Sequence, residues 1–116
     1  MTRVLVTGGR DYFNPGKIRE ALDGVRKGRG IKLLIHGMAT GADSSARAWA
    51  ERFGIDQCMF PANWKGRGNS AGPHRNALML EVAQPDVVIA FPGGRGTADM
   101  IKRAKDAEIE VIQVTP

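Results

Sequence analysis

Short apolar runs alternate along the chain with longer stretches in which apolar residues recur at helical spacing. The apolar runs predict strands at residues 3–7, 31–35, 55–60, 87–91 and 110–115. The third run is less uniformly apolar than the others, so we expect it nearer an edge of the sheet. Most of these runs end abruptly in a loop that carries glycine or proline.

Helices are predicted between these strands. Pro15 suits a first helical turn, and Ile18, Leu22 and Val25 follow at helical spacing until Gly28. Similar patterns predict helices at about residues 42–53, 72–82 and 97–107, with a loop at residues 61–71. Five strands joined by helical crossovers indicate an α/β fold class, with a parallel sheet covered on both faces.

Composition limits the class of protein. The 116 residues are 42% hydrophobic and 25% charged, which is typical of a single domain covering residues 1–116. No apolar run approaches the roughly 20 residues of a membrane helix, and no secretory signal pattern is present. Cys58 is the only cysteine, and His36 and His74 are the only histidines, which disfavours disulfides and zinc centres. We therefore expect a cytoplasmic protein without a metal or cofactor.

The charge balance favours an anionic ligand. Lys and Arg number 17 against 12 Asp and Glu, giving a net charge of +5 at pH 7. Phosphates, nucleotides and nucleic acid all fit this balance. Ligands of parallel α/β sheets bind beyond the carboxyl ends of the strands, where the strand order reverses. The glycine-rich loops follow strands at that edge, and we place the candidate site there.

The loop after the fourth strand is the first candidate for binding an anion. Glycines permit close approach of the backbone, and a helix N-terminus favours a phosphate through its free N–H groups and dipole. The Thr97 hydroxyl could cap the following helix or contact that phosphate. A tight turn with ordinary capping is the alternative. The loop consists of Pro92, Gly93, Gly94, Arg95, Gly96 and Thr97.

The loop after the first strand offers a second set of candidates. Gly8 and Gly9 would bring the backbone close to the ligand, and Arg10 could pair with a phosphate through two hydrogen bonds. Asp11 could accept ribose hydroxyls or cap the next helix. Residues 14–17 lack the first glycine and the metal-binding hydroxyl of a P-loop, which disfavours a kinase-like ATPase.

The loop after the second strand adds a histidine and a carboxylate. Gly37 and Gly41 allow a closely packed turn. Asp43 falls in the first turn of the next helix, where we expect a cap or hydrogen-bond acceptor rather than a catalytic base. His36 could bind the ligand, or it could be a structural histidine held by neighbouring loops.

Residues 61–71 are predicted to fold over the same edge of the sheet. Trp64 would stack on a base or close the core. Residues 66–71 have the spacing of a dinucleotide fingerprint but follow a loop rather than a strand, so we exclude that interpretation. Arg75 and Asn76, expected in the first turn of the next helix, could face the cavity, and for Arg75 a ligand role is favoured over a surface ion pair.

Together these segments resemble the SLOG superfamily, which includes the DNA-processing protein DprA and the Lonely guy phosphoribohydrolases. The resemblance is to the small YspA-like, cpYpsA-related branch and covers nearly the whole chain. It implies a three-layer Rossmann-like sheet of order 3-2-1-4-5 and a nucleotide-related ligand over the glycine loops. The matching segments are VTGGRDY at 6–12, HGMATGAD at 36–43, PANW at 61–64, GPHRN at 72–76 and FPGGRGTADM at 91–100.

The sequence departs from the Lonely guy pattern at one position. Those enzymes carry Pro-Gly-Gly-x-Gly-Thr-x-x-Glu, and the glutamate acts with an arginine to break an N-glycosidic bond. Here that position is Met100, while Asp99 stands one residue earlier and about 100° away around the helix. Arg75 resembles the family's arginine. Catalytic residues stay unassigned, with Arg75, Asp99 and Asp43 as candidates.

The sequence favours a binding module for a nucleotide or an NAD-derived nucleotide, such as an ADP-ribose species, acting as a sensor, carrier or sponge. The reason is a glycine-rich rim with Arg10, Arg75 and Arg95 but no obvious catalytic pair. No membrane partner is expected, and a homo-oligomer is plausible because related domains commonly pair through helices.

Two other functions stay open. One is a hydrolase that cleaves a glycosidic or phosphoester bond with Asp11, Asp43 or Asp99. The other is DprA-like binding of single-stranded DNA, which the net charge permits. Single-stranded DNA binding needs stacking aromatic residues, and only 6% of this chain is aromatic, so it ranks last.

Overall fold

The computed structural model describes residues 1–116, and a parallel sheet of five strands runs through its centre. The strand order is β3-β2-β1-β4-β5, and every neighbouring pair is parallel. The predicted α/β class and strand order are therefore confirmed. The strands are β1 (Thr2–Thr7), β2 (Ile31–His36), β3 (Gln57–Met59), β4 (Val87–Ala90) and β5 (Glu110–Gln113).

Five helices connect the strands. A 3-10 turn at Gly68–Ser70 leads into the fourth helix, and a π-helical turn at Met79–Ala83 extends it. None of the helices combines the length and apolar character needed to cross a bilayer. The helices are α1 (Pro15–Arg29), α2 (Ala42–Arg52), α3 (Trp64–Arg67), α4 (Ala71–Leu78) and α5 (Arg95–Asp106).

Alternation along the strands divides the core between the two faces of the sheet. Val4 and Val6 point to the face covered by α1 and α2, where they pack in one buried cluster with Ile18 and Trp49. Leu5 points to the other face, in a second cluster that includes residues of the π-helical turn and of α5. Since β1 is central and fully sandwiched, its carboxyl end is fixed in position beneath the loops of its neighbours.

Several predicted boundaries are corrected by the structure. Residues 61–71 are largely helical, because Asn63 caps α3 by accepting a hydrogen bond from the Gly66 N–H at 3.0 Å. The early start of α4 places Arg75 and Asn76 in its second turn rather than its first. The last helix begins two residues earlier than predicted, at Arg95. β3 and β5 are shorter than the apolar runs that predicted them.

The packing around Gly8 generates a stability prediction. A Cβ at this position would lie 2.6 Å from the Cβ of Ala42 and 3.0 Å from that of Phe91. We expect Gly8→Ala to lower the free energy of unfolding by about 1–3 kcal/mol through overpacking, measured by urea denaturation. Gly24→Ala is the matched control, because the space around Gly24 in α1 is open and alanine favours the helix by about 0.5–1 kcal/mol. Equal urea midpoints for Gly8→Ala and the wild type would contradict this packing.

Candidate functional site

A cavity of about 420 Å³ opens at the carboxyl edge of the sheet, beyond the ends of β1 and β4, where the strand order reverses. The loops after β1, β2 and β4 form it together with α3 and α4. Most of the residues singled out from the sequence line this cavity: Gly8, Gly9, Arg10, Asp43, Trp64, Arg75, Asn76, Gly94, Arg95, Gly96, Thr97 and Asp99.

The N-terminus of α5 presents bare backbone to the cavity. Gly94 precedes the helix, and no side chain caps it. The first helical hydrogen bond joins the Ala98 N–H to the Gly94 carbonyl at 3.0 Å, so the N–H groups of residues 95–97 have no acceptor in the chain. Nothing lies within 4 Å of where a Cβ would stand on Gly94 or Gly96. These free donors and the helix dipole suit an anion.

Other glycines at this edge contact neighbouring loops instead. The Gly9 N–H donates to the Pro92 carbonyl at 2.9 Å. A Cβ on Gly93 would overlap the Thr97 hydroxyl and lie 2.6 Å from the Gly9 nitrogen. Pro92 and Gly93 therefore join the loop after β4 to the loop after β1, and neither lines the cavity.

The loop after β2 is attached to the loop after β1 in a similar way. Gly41 has φ = +72°, and a Cβ there would overlap the Gly9 carbonyl. The Thr40 hydroxyl donates to the Arg10 carbonyl at 2.8 Å. The positive φ and the close contact each favour glycine at this position. Gly41 lies outside the cavity lining, and its role is to hold the two loops together.

The side chain of His36 is held by hydrogen bonds within the protein. Its side chain is fully buried, Nε2 lies 2.9 Å from Oε1 of Gln57, and Nδ1 accepts a hydrogen bond from the Met38 N–H at 3.1 Å. Both ring nitrogens are thus occupied by the protein, and His36 does not line the cavity. Its role toward a ligand stays a prediction. Asp11 is also outside the lining, on the exposed surface of the β1–α1 loop.

Arg75 and Asp43 meet at the peptide groups of Gly37. Nη1 of Arg75 donates to the Gly37 carbonyl at 2.9 Å, while the Gly37 N–H donates to Oδ2 of Asp43 at 3.1 Å. The same oxygen accepts the Ala39 N–H at 3.2 Å. Any side chain at position 37 would overlap the Arg75 guanidinium. Gly37 therefore positions both charged residues without lining the cavity itself.

Burial dominates the electrostatics of this pair. Asp43 is 6% exposed, and burial raises the pKa of its carboxyl group, opposed by the Ala39 N–H and by the positive charge of Arg75. Burial likewise lowers the pKa of Arg75, which the Asp43 carboxylate opposes. The guanidinium remains charged even so, because its ordinary pKa is so high.

Arg10 and Trp64 form part of the cavity wall. The guanidinium carbon of Arg10 lies 4.6 Å from the ring centroid of Trp64, in cation–π geometry. Trp64 is 47% exposed and absent from both core clusters, so it does not close the core. It instead offers an aromatic surface at the cavity.

Asn76 fixes the side of the cavity next to α5. It is buried, and Nδ2 donates to the Gly96 carbonyl at 3.1 Å and to Oδ2 of Asp99 at 3.0 Å. Oδ2 of Asp99 also accepts from Nε of Arg103 at 2.9 Å. Asp99 lines the cavity, whereas Met100 is fully buried in the core. The helix thus directs residue 99 toward the cavity and residue 100 away from it.

Sequence reasoning missed several lining residues. Gly72 lies under Trp64, with 3.5 Å between its Cβ position and Cη2 of the indole. Met79 follows the apolar pattern of the core, and nothing in that pattern distinguishes a cavity wall from the interior. Asn69 belongs to the segment that was predicted to be a loop. The other residues missed are Val6, Thr7, Ala39 and Pro73.

The buried carboxyl group generates a prediction about pH. The pKa of Asp43 is raised in the folded state, so folding favours the protonated carboxyl group. The contribution of Asp43 to the free energy of unfolding therefore falls as pH rises above the pKa of the unfolded chain, about 3.9. Asp43→Asn removes this loss, while its amide oxygen can still accept the N–H groups of Gly37 and Ala39. We expect the unfolding free energy of Asp43→Asn minus that of the wild type to be larger at pH 7 than at pH 4. Urea denaturation at both pH values measures this difference. A relative stability that does not change with pH would contradict the burial of a carboxylate here.

Comparisons with known proteins agree with this architecture. A family model described as "YspA, cpYpsA-related SLOG family" matches residues 2–66. The Gene 61 protein of Mycobacterium phage D29 is 37% identical over 120 residues, which covers 97% of this chain and 95% of that protein.

A solved structure has the same fold at low sequence identity. The X-ray structure of DNA processing protein A (DprA) from Streptococcus pneumoniae matches the whole of this chain with a TM-score of 0.81 and 15% identity. The chain spans about half of that structure, 51% of its length. Since the family model covers more than half of the residues and the phage relative nearly all of them, this chain belongs to the YspA, cpYpsA-related SLOG family.

Proposed function

We propose that this protein binds a nucleotide or an NAD-derived nucleotide, such as an ADP-ribose species, and acts as a sensor, carrier or sponge for it. The observation that carries the proposal is the uncapped N-terminus of α5, which opens into a cavity surrounded by arginines. Membership of a SLOG family supports a nucleotide-related role.

The phosphate would bind at the start of α5. Three N–H groups without acceptors converge there, and Gly96 places no side chain between them and a ligand. Arg10, Arg75 and Arg95 line the same cavity, against the two carboxylates of Asp43 and Asp99. Because the balance is positive, the cavity attracts an anion and holds it by charge-assisted hydrogen bonds.

The remaining part of the ligand would extend toward Trp64. An indole that is half exposed at a cavity wall can stack on a nucleobase. Arg10 already makes a cation–π contact with this ring. The volume of about 420 Å³ is in the lower part of the range of about 300–1,000 Å³ typical of small-molecule sites. One nucleoside phosphate suits it better than a long polymer.

Binding is favoured over turnover because each carboxylate of the cavity already has one oxygen engaged by the protein. Asp99 is bonded to Asn76 and Arg103, and Met100 leaves the position of the Lonely guy glutamate without a carboxylate. One observation supports a hydrolase as a second candidate, since Asp43 keeps one oxygen without a partner beside Arg75. Chromatography of nucleotides incubated with the protein would separate the candidates, because a binding module leaves them intact.

The bare backbone of α5 gives a direct test of the binding site. We expect Gly96→Val to weaken binding at least tenfold, because the added side chain would stand beside the free N–H groups, where the space around a Cβ is open. Isothermal titration calorimetry with AMP, ADP and ADP-ribose would measure the affinity, and native mass spectrometry would detect any nucleotide that co-purifies.

Gly28→Val is the matched control. Gly28 is also helical, has open space around it and lies at the end of α1 that precedes β2, away from the cavity. The same substitution there should leave the affinity unchanged. Absence of binding by all three nucleotides, or equal affinities for Gly96→Val and the wild type, would contradict the proposed function.

A further inference from the structure

Two carboxylate oxygens at the cavity have no hydrogen-bond partner in the protein, Oδ1 of Asp43 and Oδ1 of Asp99, and Asp43 is the more buried of the two residues. Oδ2 of Asp43 accepts the N–H groups of Gly37 and Ala39, but Oδ1 accepts none. The side-chain atoms that are both completely buried and unpartnered are the hydroxyl of Tyr12 and Nε of Arg26. Oδ1 of Asp43 is not among them, so this oxygen retains some accessible surface, and the residue lines the cavity.

The chemistry of Oδ1 limits what can bind against it. Asp43 is 6% exposed as a residue, and a carboxylate in such a buried side chain carries a desolvation cost that a hydrogen-bond donor offsets. A phosphate brings acceptors and negative charge, and it is a poor partner for this oxygen. A sugar hydroxyl donates a hydrogen bond and carries no charge. The group that contacts Asp43 should therefore be a hydroxyl, and the phosphate should lie elsewhere.

The neighbouring Arg75 does not pair directly with Asp43. Its Nη1 and Nε bond to Gly37 and Asn76, and no ion pair within 4 Å joins it to Asp43. Oδ1 is thus held open by a rigid arrangement, since Oδ2 fixes the orientation of the carboxylate through two backbone bonds.

The topology separates this oxygen from the phosphate end of the site. Asp43 follows β2 and the N-terminus of α5 follows β4, and β1 lies between these strands. Asp43 and the first residues of α5 line the same cavity from different loops, so different parts of one ligand would meet them.

Resting on the proposed function, we infer that Asp43 is a specificity-determining residue that accepts a hydrogen bond from a ribose hydroxyl, so that the site selects ribonucleotides over deoxyribonucleotides. A deoxyribonucleotide would leave the buried oxygen unpartnered. The selectivity would also separate this protein from those that bind single-stranded DNA.

The test compares sugars at constant base and phosphate. Isothermal titration calorimetry of the wild-type protein with AMP, GMP, CMP and UMP identifies the ribonucleotide that binds best. Its 2′-deoxy and 3′-deoxy forms are then measured under the same conditions. We expect at least one deoxy form to bind roughly 10- to 100-fold more weakly, because it lacks one hydrogen bond to a charged acceptor.

Asp43→Asn and Asp11→Asn complete the experiment. In Asp43→Asn an amide replaces the acceptor, so the preference for ribose should fall to within about twofold. Asp11→Asn removes the same charge from an exposed residue outside the cavity lining and should keep the preference. The wild-type comparison alone remains decisive if Asp43→Asn does not fold.

The possible failures are distinguishable. If no ribonucleotide and no ADP-ribose binds to the folded protein, the proposed function is overturned. If ribonucleotides bind but both deoxy forms bind equally well, or if Asp43→Asn folds and keeps the preference, the role of Asp43 is overturned while the proposed function stands.

Discussion

Close packing of three backbone segments around Gly8 and Gly9 is the constraint on which the candidate site depends. The Gly9 N–H bonds to the Pro92 carbonyl, and the Gly9 carbonyl accepts the N–H of Ala42 at 3.2 Å. Gly41 and Gly93 lie against the same segment without room for a side chain. Most glycines at this edge therefore serve contacts between loops. This packing holds the loops of β2 and β4 rigidly on either side of β1, which leaves the cavity open between them.

The cavity combines a bare helix N-terminus with charges of both signs in fixed positions. Arg75 is anchored to the carbonyl of Gly37, and Asp43 to the N–H of the same residue. Since rigid side chains lose little entropy when a ligand binds, such an arrangement favours selective recognition. The positive groups suit a phosphate, whereas the open oxygen of the buried Asp43 suits a hydrogen-bond donor, so different parts of the site make different chemical demands.

Position 100 shows how the start of α5 divides neighbouring residues between the core and the cavity. Met100 is buried in the cluster that contains Leu5 and Val88, and the neighbouring Asp99 faces the cavity. A glutamate introduced at position 100 of this chain would place a charge in the apolar core, which costs several kcal/mol unless the group is neutralised. Restoring the Lonely guy motif in sequence would therefore not by itself restore a catalytic carboxylate in the cavity.

The sequence by itself determined the sheet, its helical crossovers and the edge at which the site lies. Apolar periodicity is a local property, and the family motifs are contiguous, so both can be recognised without coordinates. The ends of helices were harder to predict from the sequence. The cap of α3 at Asn63 and the start of α5 at Arg95 depend on single hydrogen bonds or backbone angles.

Only the tertiary structure decided which of the similar residues face the cavity. Gly96 and Gly93 belong to one motif, yet Gly96 borders open space and Gly93 touches the loop after β1. His36 is paired with Gln57, and Asp43 has one oxygen occupied and the other open. These differences arise from contacts between segments far apart along the chain. Residue type and spacing do not encode such contacts, because they depend on how neighbouring strands bring their loops together.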